Sequence, residues 1–388
     1  MLARELLEQP VDEERSRPVG AAGYGGRVAS TEAPWVVIGA EHAVGLVTLN
    51  RPAALNALTT EMRAAIAGAL PRWSRDPEIY AVIVASASQR AFCAGGDLRE
   101  MVEWGHTRRA DAVRSLAEEY ALNWQLECYT KPVVSLIDGP VMGSGVGVSL
   151  YGTHRVAGEG YQFAMPETSI GLFPDDGVCW AFARMPDAVG MYLALTGRAI
   201  GRADAYRLGL ATHCVPKARF GEIRAALADA DPVDALLDER HEDPGTGDLE
   251  GLRPVIARCF TAPSVEEVVG RLQAERGPEA DWAQGVLEDL AARSPTSLKI
   301  THRHVLEARA LDLRATLIQD FRLARRCLEG HDLYEGVRAA LIDRDRVPKW
   351  QPPHLGAVSE AMVEAHFASL GPDELDLPSR AAMQAFMG

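Results

Sequence analysis

The chain has 388 residues, 47% of them hydrophobic and 24% charged, with a formal net charge of −14. That length suits two or three structural units, or one large domain with an extension, around a sizeable core. The acidic balance excludes nucleic acid as the main partner, because phosphate binding needs a basic face, and no apolar run reaches the ~18–20 residues that span a bilayer.

The first residues, MLARELLEQPVDEERSRP, mix acids with arginines and lack an apolar signal core, so the expected location is the cytoplasm. Residues 1–34 are rich in Gly, Pro, Arg and Glu without an apolar period and read as a flexible arm. From Trp35, WVVIGAEHAVGLVTLN reads as two strands around a turn. A helix follows with Thr59 or Thr60 as N-cap and a stop near Pro71 or Pro77. AVIVASA (81–87) is a continuous apolar run of strand length, buried on both faces. FCAGGDL then leads into a helix capped at Asp97, and a long helix covers 109–128. KPVVSLIDG is a further buried strand, followed by the glycine turn MGSGVG and its helix. Buried strands that lead through loops into helices, twice across a Gly-rich junction, make an α/β core over 35–230. The polar stretch 231–253 reads as a loop or linker, and 254–388 as a helical C-terminal region, with an apolar stripe on a helix over 308–330 and one short helix in the tail.

Chemistry concentrates between Asp138 and Asp175. A glycine-rich turn that opens a helix offers free N–H groups to a negative oxygen. MGSGVG lacks the G-x-G-x-x-G spacing of a dinucleotide fingerprint, and no Gly-Lys-Ser/Thr follows to make a P-loop. Glu167 and Asp175 stand beyond it, with Pro166, Gly171 and Pro174 breaking any regular helix between them. Two carboxylates beside an N–H trap supply a nucleophile, base or acid for acyl chemistry. Asp176 adjoins Asp175, and spacing does not choose between them. The solvated-surface reading stands beside the functional one for these acids and for Glu118–Glu119. The ten histidines form no H-E-x-x-H or H-x-E pattern, and the six cysteines no C-x-x-C pair. No metal or cofactor is assigned, and the thiols are expected to be free and buried.

Taken together, R51-PAALNAL-58, A91-FCAGGDL-98, I137-DGPVMGSGVG-147 and M165-PETSIGLFPD-175 resemble, in order, the motifs of the crotonase (enoyl-CoA hydratase/isomerase) superfamily. Within it the chain is most similar to the 3-hydroxyisobutyryl-CoA hydrolase subfamily, through E118-EYALN-123, A194-LTGRAIGRADAYRLGLATH-213, S294-PTSLKI-300 and C327-LEGHDLYEGVRAALIDRDRVPKW-350. The resemblance implies a spiral of ββα turns and an acyl-CoA substrate, with no nucleic-acid or membrane partner. It also implies a homo-oligomer, since superfamily members are often trimers or hexamers.

Carried over residue by residue, the oxyanion hole falls on the backbone N–H groups of Gly96 and Ser144. The catalytic carboxylates fall on Glu167 and Asp175, and a substrate-contact glutamate on Glu119. The second glutamate of a true hydratase falls on Gly147, so the resemblance favours hydrolysis of 3-hydroxyisobutyryl-CoA, as in valine breakdown, over hydration. An enoyl-CoA hydratase/isomerase and a non-catalytic acyl-CoA-binding protein are the competing expectations. Two departures stand out. Ser144 replaces the middle glycine of the subfamily's G-G-G turn, which costs roughly 1–2 kcal/mol if the position needs a positive φ. Asp176-Gly177-Val178 replaces V-G-G. Arg51, Arg99 and Lys299 are the candidate cations for the CoA phosphates.

Overall fold

A computed structural model describes residues 34–388. The segment read as an arm, 1–34, lies outside the described residues except for Pro34.

The first strands form a hairpin, β1 (Val36–Glu41) and β2 (Val44–Leu49). α1 (Thr60–Arg75) follows, with the Thr59 side chain accepting from the Met62 N–H. It runs through Pro71, the earlier of the two stops that the sequence offers, and ends at Arg75, just before Pro77; Pro71 is buried, which offsets one lost hydrogen bond. Next come β3 (Ala81–Ser86), α2 (Leu98–Thr107), α3 (Arg109–Glu127), β4 (Val133–Ile137), β5 (Pro140–Met142) and α4 (Ser144–Leu150). As the sequence implied, Asp97 caps α2, accepting from the Arg99 and Glu100 N–H groups. The chain continues through β6 (His154–Ala157), β7 (Gln162–Ala164), α5 (Val178–Phe182), α6 (Val189–Thr196), β8 (Ile200–Gly201), α7 (Arg202–Arg207) and β9 (His213–Cys214).

Six strands form one sheet in the order β1-β2-β3-β4-β6-β9, antiparallel at the first pair and parallel beyond. A second sheet, β5-β7-β8, is extended by bridges between Leu58 and Gly96 and between Cys93 and Val141. The chain thus alternates between a rung of the large sheet, a rung of the small one and a helix. β3 and β4 are apolar but for Ser86 and Ser135, because both faces are covered. Val82 and Val84 face the main core, while Ile83 faces a smaller cluster under α8 (Phe220–Ala228) and α9 (Val233–Arg240).

α9 corrects the reading of 231–253 as a loop. Its polar residues face water, while Val233, Leu236 and Leu237 close the second face of the large sheet. Three apolar residues among acids and prolines are too few to show a period in the sequence.

The remaining helices are α10 (Arg253–Phe260), α11 (Val265–Ala274), α12 (Ala280–Ala292), α13 (Pro295–Glu307), α14 (Leu313–Glu329), α15 (Asp332–Val337), α16 (Glu360–Phe367) and α17 (Arg380–Met387). The expected helix over 308–330 begins at Leu313, because the Asp312 side chain caps it through the Ala315 N–H. The stretch 349–367 ends in the expected short helix, α16, and α17 lies beyond it. All eight helices contribute side chains to the same apolar cluster as the strands. All six cysteines are free and buried.

The C-terminal helices reach the centre of the molecule. α15 lies so close to residues 167–171 that a Cβ on Gly336 would sit 2.4 Å from the Ile170 backbone. Gly336→Ala therefore forces backbone apart rather than a flexible side chain. It is expected to destabilise the chain by about 1–3 kcal/mol and to lower its catalytic rate by displacing the neighbouring turn. Thermal melts and activity measured on the same sample check both.

Candidate active site

The site is built on the first turns of α4. Gly143, at φ +46, turns the chain out of β5 and leaves Ser144 as the first helical residue. The positive φ falls on Gly143 and not on Ser144, so the strain foreseen for a serine in this turn is not incurred. The loop carrying Gly95 and Gly96 crosses above. A Cβ on Gly96 would lie 2.8 Å from Ser144 Oγ. The two residues whose backbone N–H groups the sequence singled out are thus brought next to each other, and neither N–H finds an acceptor among the described residues.

Glu167 begins a short 3-10 turn, Glu167–Ile170, just after β7. A Cβ on Gly143 would lie 3.2 Å from Glu167 Oε1, so the carboxyl rests on the same turn as Ser144. It is only 6% exposed, and Oε2 has no hydrogen-bond partner. Burial pushes its pKa well above the carboxylate range; its own backbone N–H opposes the shift, and Asp176 reinforces it.

Asp175 and Asp176 follow on the loop into α5, and both are buried. Asp175 Oδ2 accepts from the Tyr120 hydroxyl at 2.7 Å, and Asp176 Oδ1 accepts from Asn123 Nδ2 at 2.5 Å. Burial raises both pKa values, with the repulsion of Glu119 and Glu167 acting on Asp175 and that of Asp175 and Glu119 acting on Asp176; the Tyr120 and Asn123 hydrogen bonds oppose it. Glu119, on α3 beside Tyr120, is 3% exposed. Its Oε2 lies 3.6 Å from Arg63 Nη1 and its Oε1 is unpartnered. Glu118 points to solvent. Of the adjacent acids, α3 therefore buries one and exposes the other, as its period requires.

Several supporting residues escaped the sequence reading. Arg63 donates to the Leu58 carbonyl and to Ser115 Oγ, and holds the wall next to Glu119. Asp320 on α14 accepts from the Gly177 N–H at 2.6 Å and pairs with His304 Nε2 at 2.5 Å. Gln319 Nε2 donates to the other ring nitrogen at 3.1 Å. The Tyr151 hydroxyl donates to the Asp176 carbonyl. The signal for Asp320 was present: it interrupts the buried stripe Thr316, Leu317, Phe321 and Ala324, where a lone acid calls for a partner.

The proposed phosphate cations fare differently. Arg51 donates to Asp97 and the Ala57 carbonyl and lies over Trp35, Arg99 donates to the Leu341 carbonyl, and Lys299 is tied to Glu266 and the Val358 carbonyl. Each is committed to protein acceptors.

An enoyl-CoA hydratase/isomerase family model matches residues 44–367. The chain belongs to this family. It is 42% identical over 346 residues to the mitochondrial 3-hydroxyisobutyryl-CoA hydrolase of Danio rerio, covering 86% of this chain and 88% of that one. It is 40% identical over 341 residues to the Homo sapiens protein of the same name, covering 85% and 88%. Among solved structures it resembles a carnitinyl-CoA dehydratase from Mycobacterium thermoresistibile at TM-score 0.84 and 38% identity, covering 89% of this chain and 100% of that one. An enoyl-CoA hydratase from Rhodobacter sphaeroides 2.4.1 gives TM-score 0.83 and 37% identity with the same coverage. The crotonase-type α/β spiral expected from the motifs is therefore the fold of this family member.

The raised Glu167 pKa makes a signed prediction. The folded chain holds a proton that the unfolded chain releases, so the contribution is fully present below the ordinary carboxylate range and is lost as pH rises through the raised value. Glu167→Gln removes that loss. The variant is expected to melt higher than the parent at about pH 8, by the equivalent of about 1–3 kcal/mol, and by much less at about pH 4. Paired thermal melts at the two pH values check it.

Proposed function

We propose that this chain hydrolyses the CoA thioester of a short 3-hydroxy acid, 3-hydroxyisobutyryl-CoA first of all, to CoA and the free acid, a step of valine breakdown. One observation carries the choice of hydrolysis over hydration. The position of the second hydratase glutamate is Gly147, and its space is taken by two other side chains: a Cβ there would lie 2.6 Å from Asp176 Oδ1 and 2.8 Å from Asn123 Oδ1, so a glutamate would have to displace both. The vertebrate relatives named as 3-hydroxyisobutyryl-CoA hydrolases at about 40% identity support the same reading.

In this mechanism the thioester oxygen sits between the Gly96 and Ser144 N–H groups. Charge that develops there is stabilised, each such donor being worth about 2.7–4 kcal/mol. Glu167, which rests against the same turn of α4, acts on the carbonyl carbon as the carboxylate, once its proton has left. It attacks directly to give an acyl-enzyme anhydride that water then opens, or it takes a proton from a water that attacks. In both routes the C–S bond breaks and sulfur leaves as CoA thiolate, which takes up a proton. Asp175, oriented by Tyr120, receives the 3-hydroxyl of the acyl group. Glu119, held from behind by Arg63, shapes the acyl pocket. The chemistry uses no metal or cofactor beyond the CoA of the substrate. The cytoplasm as its place of action rests on composition alone.

Glu119, Glu167 and Asp176 each keep a buried oxygen without a partner among the described residues, as a site that takes a ligand would; turnover is what separates a hydrolase from a non-catalytic acyl-CoA-binding protein.

Thiol release followed with a thiol reagent tests the reading on 3-hydroxyisobutyryl-, 3-hydroxypropionyl-, acetyl- and crotonyl-CoA. Rapid release from the 3-hydroxyacyl esters is expected, reduced roughly 10²–10⁴-fold by Glu167→Gln. Loss of the crotonyl-CoA enone absorbance without thiol release would overturn it in favour of hydration. Single turnover in ¹⁸O-water separates the two routes: label in the Glu167 carboxyl marks the anhydride.

A further inference from the structure

Asp176 is not used by the mechanism above, yet it is the most enclosed carboxyl of the site, at 1% exposure. Its backbone is left-handed, at φ +55, a conformation that Asp tolerates and a β-branched side chain resists. Because of that turn, successive side chains do not diverge. Asp175 reaches Tyr120 and Asp176 reaches Asn123, two positions three apart on α3, whose side chains are neighbours about 5–6 Å apart. The two carboxyls therefore lie side by side along one helix. Asp176 also lies against Gly147, one turn along α4 from Ser144, so it fills the wall that a side chain at 147 would have formed. Asn123 holds Oδ1. Oδ2 is buried and has no partner among the described residues.

We propose that Asp176 is a specificity-determining residue of the acyl pocket, whose free Oδ2 joins Asp175 in gripping the hydroxyl of a short 3-hydroxyacyl group. A hydroxyl donates one hydrogen bond and accepts another, so it suits a position between the accepting Oδ2 of Asp176 and a neighbouring carboxyl that keeps its proton, whereas a plain alkyl chain leaves Oδ2 desolvated and unpaired. The pocket thereby selects against the deoxy analogue as well as for the hydroxylated one. This rests on the reading of the site as one for 3-hydroxyacyl-CoA and adds to it the group that reads the hydroxyl.

Binding separates this proposal from the hydrolase assignment. The probes are ketone isosteres of 3-hydroxyisobutyryl-CoA and isobutyryl-CoA, with sulfur replaced by methylene, titrated calorimetrically into the full chain. Asp176→Asn keeps volume and left-handed backbone but puts an amide where the free acceptor stands. Asp176→Gly removes the carboxyl without backbone strain. Wild type is expected to prefer the hydroxylated isostere strongly, and each variant to lose about 10- to 100-fold of that preference through weaker binding of the hydroxylated probe alone. An unchanged preference in a variant that melts cooperatively would overturn the proposal, as would a wild type indifferent to the hydroxyl. If Asp176→Gly does not fold, Asp176→Asn decides. Selective binding without thiol release from the true esters would sink the hydrolase reading and leave the role of Asp176 standing.

Discussion

The structure depends on how closely the backbone of α4 is approached. Within about a turn and a half, Gly143 lies under Glu167, Ser144 faces Gly96, and Gly147 lies under Asp176 and Asn123. Each contact is near or below the closest distance that a Cβ permits. Every wall of the site is thus located from a single short helix, and an added side chain would separate the acids from the N–H pair. The two bridges of the small sheet, Leu58–Gly96 and Cys93–Val141, bring the Gly95–Gly96 loop into register with the start of this helix.

α3 supplies the complementary surface. Glu119, Tyr120 and Asn123 form a ledge on which the acids of the loop before α5 settle. That loop is held from its other side by Asp320, whose position on α14 is fixed by His304. The carboxyls are therefore rigid and dry before any ligand arrives. Such a site leaves little reorganisation for the reacting state, and its cost is the cluster of raised pKa values.

The sequence showed the rungs of the spiral because β3 and β4 are short, mostly apolar runs between turn signals. It showed the helix caps because Thr59 and Asp97 carry oxygens at the right place. Gly96, Ser144, Glu167 and Asp175 came from the four ordered motifs and Glu119 from the subfamily stretch 118–123, and the structure gathers them around one helix. What could not be read were distances in space between elements far apart in the chain. Arg63 looked like any helical arginine until α3 was laid beside it, and Asp320 stands more than 140 residues from the N–H group that it binds. α9 was missed because burial of three side chains leaves too short a pattern, and the choice between Pro71 and Pro77 as the stop of α1 was not legible because tertiary packing decides it.

The contact of α15 with the Glu167 turn has a consequence for the order in which the protein is made. Gly336 and Asp332 touch the backbone at Ile170 and Gly171, and Asp320 holds Gly177 from α14. A chain emerging from the ribosome presents all four acids by residue 176, but the parts that seal and dry them are synthesised some 150 residues later. Until α14 and α15 dock, the Glu167 turn and the loop before α5 lack the contacts that hold them. The site is thus assembled only when helices far along the polypeptide have been made, not by the translation of its own motif.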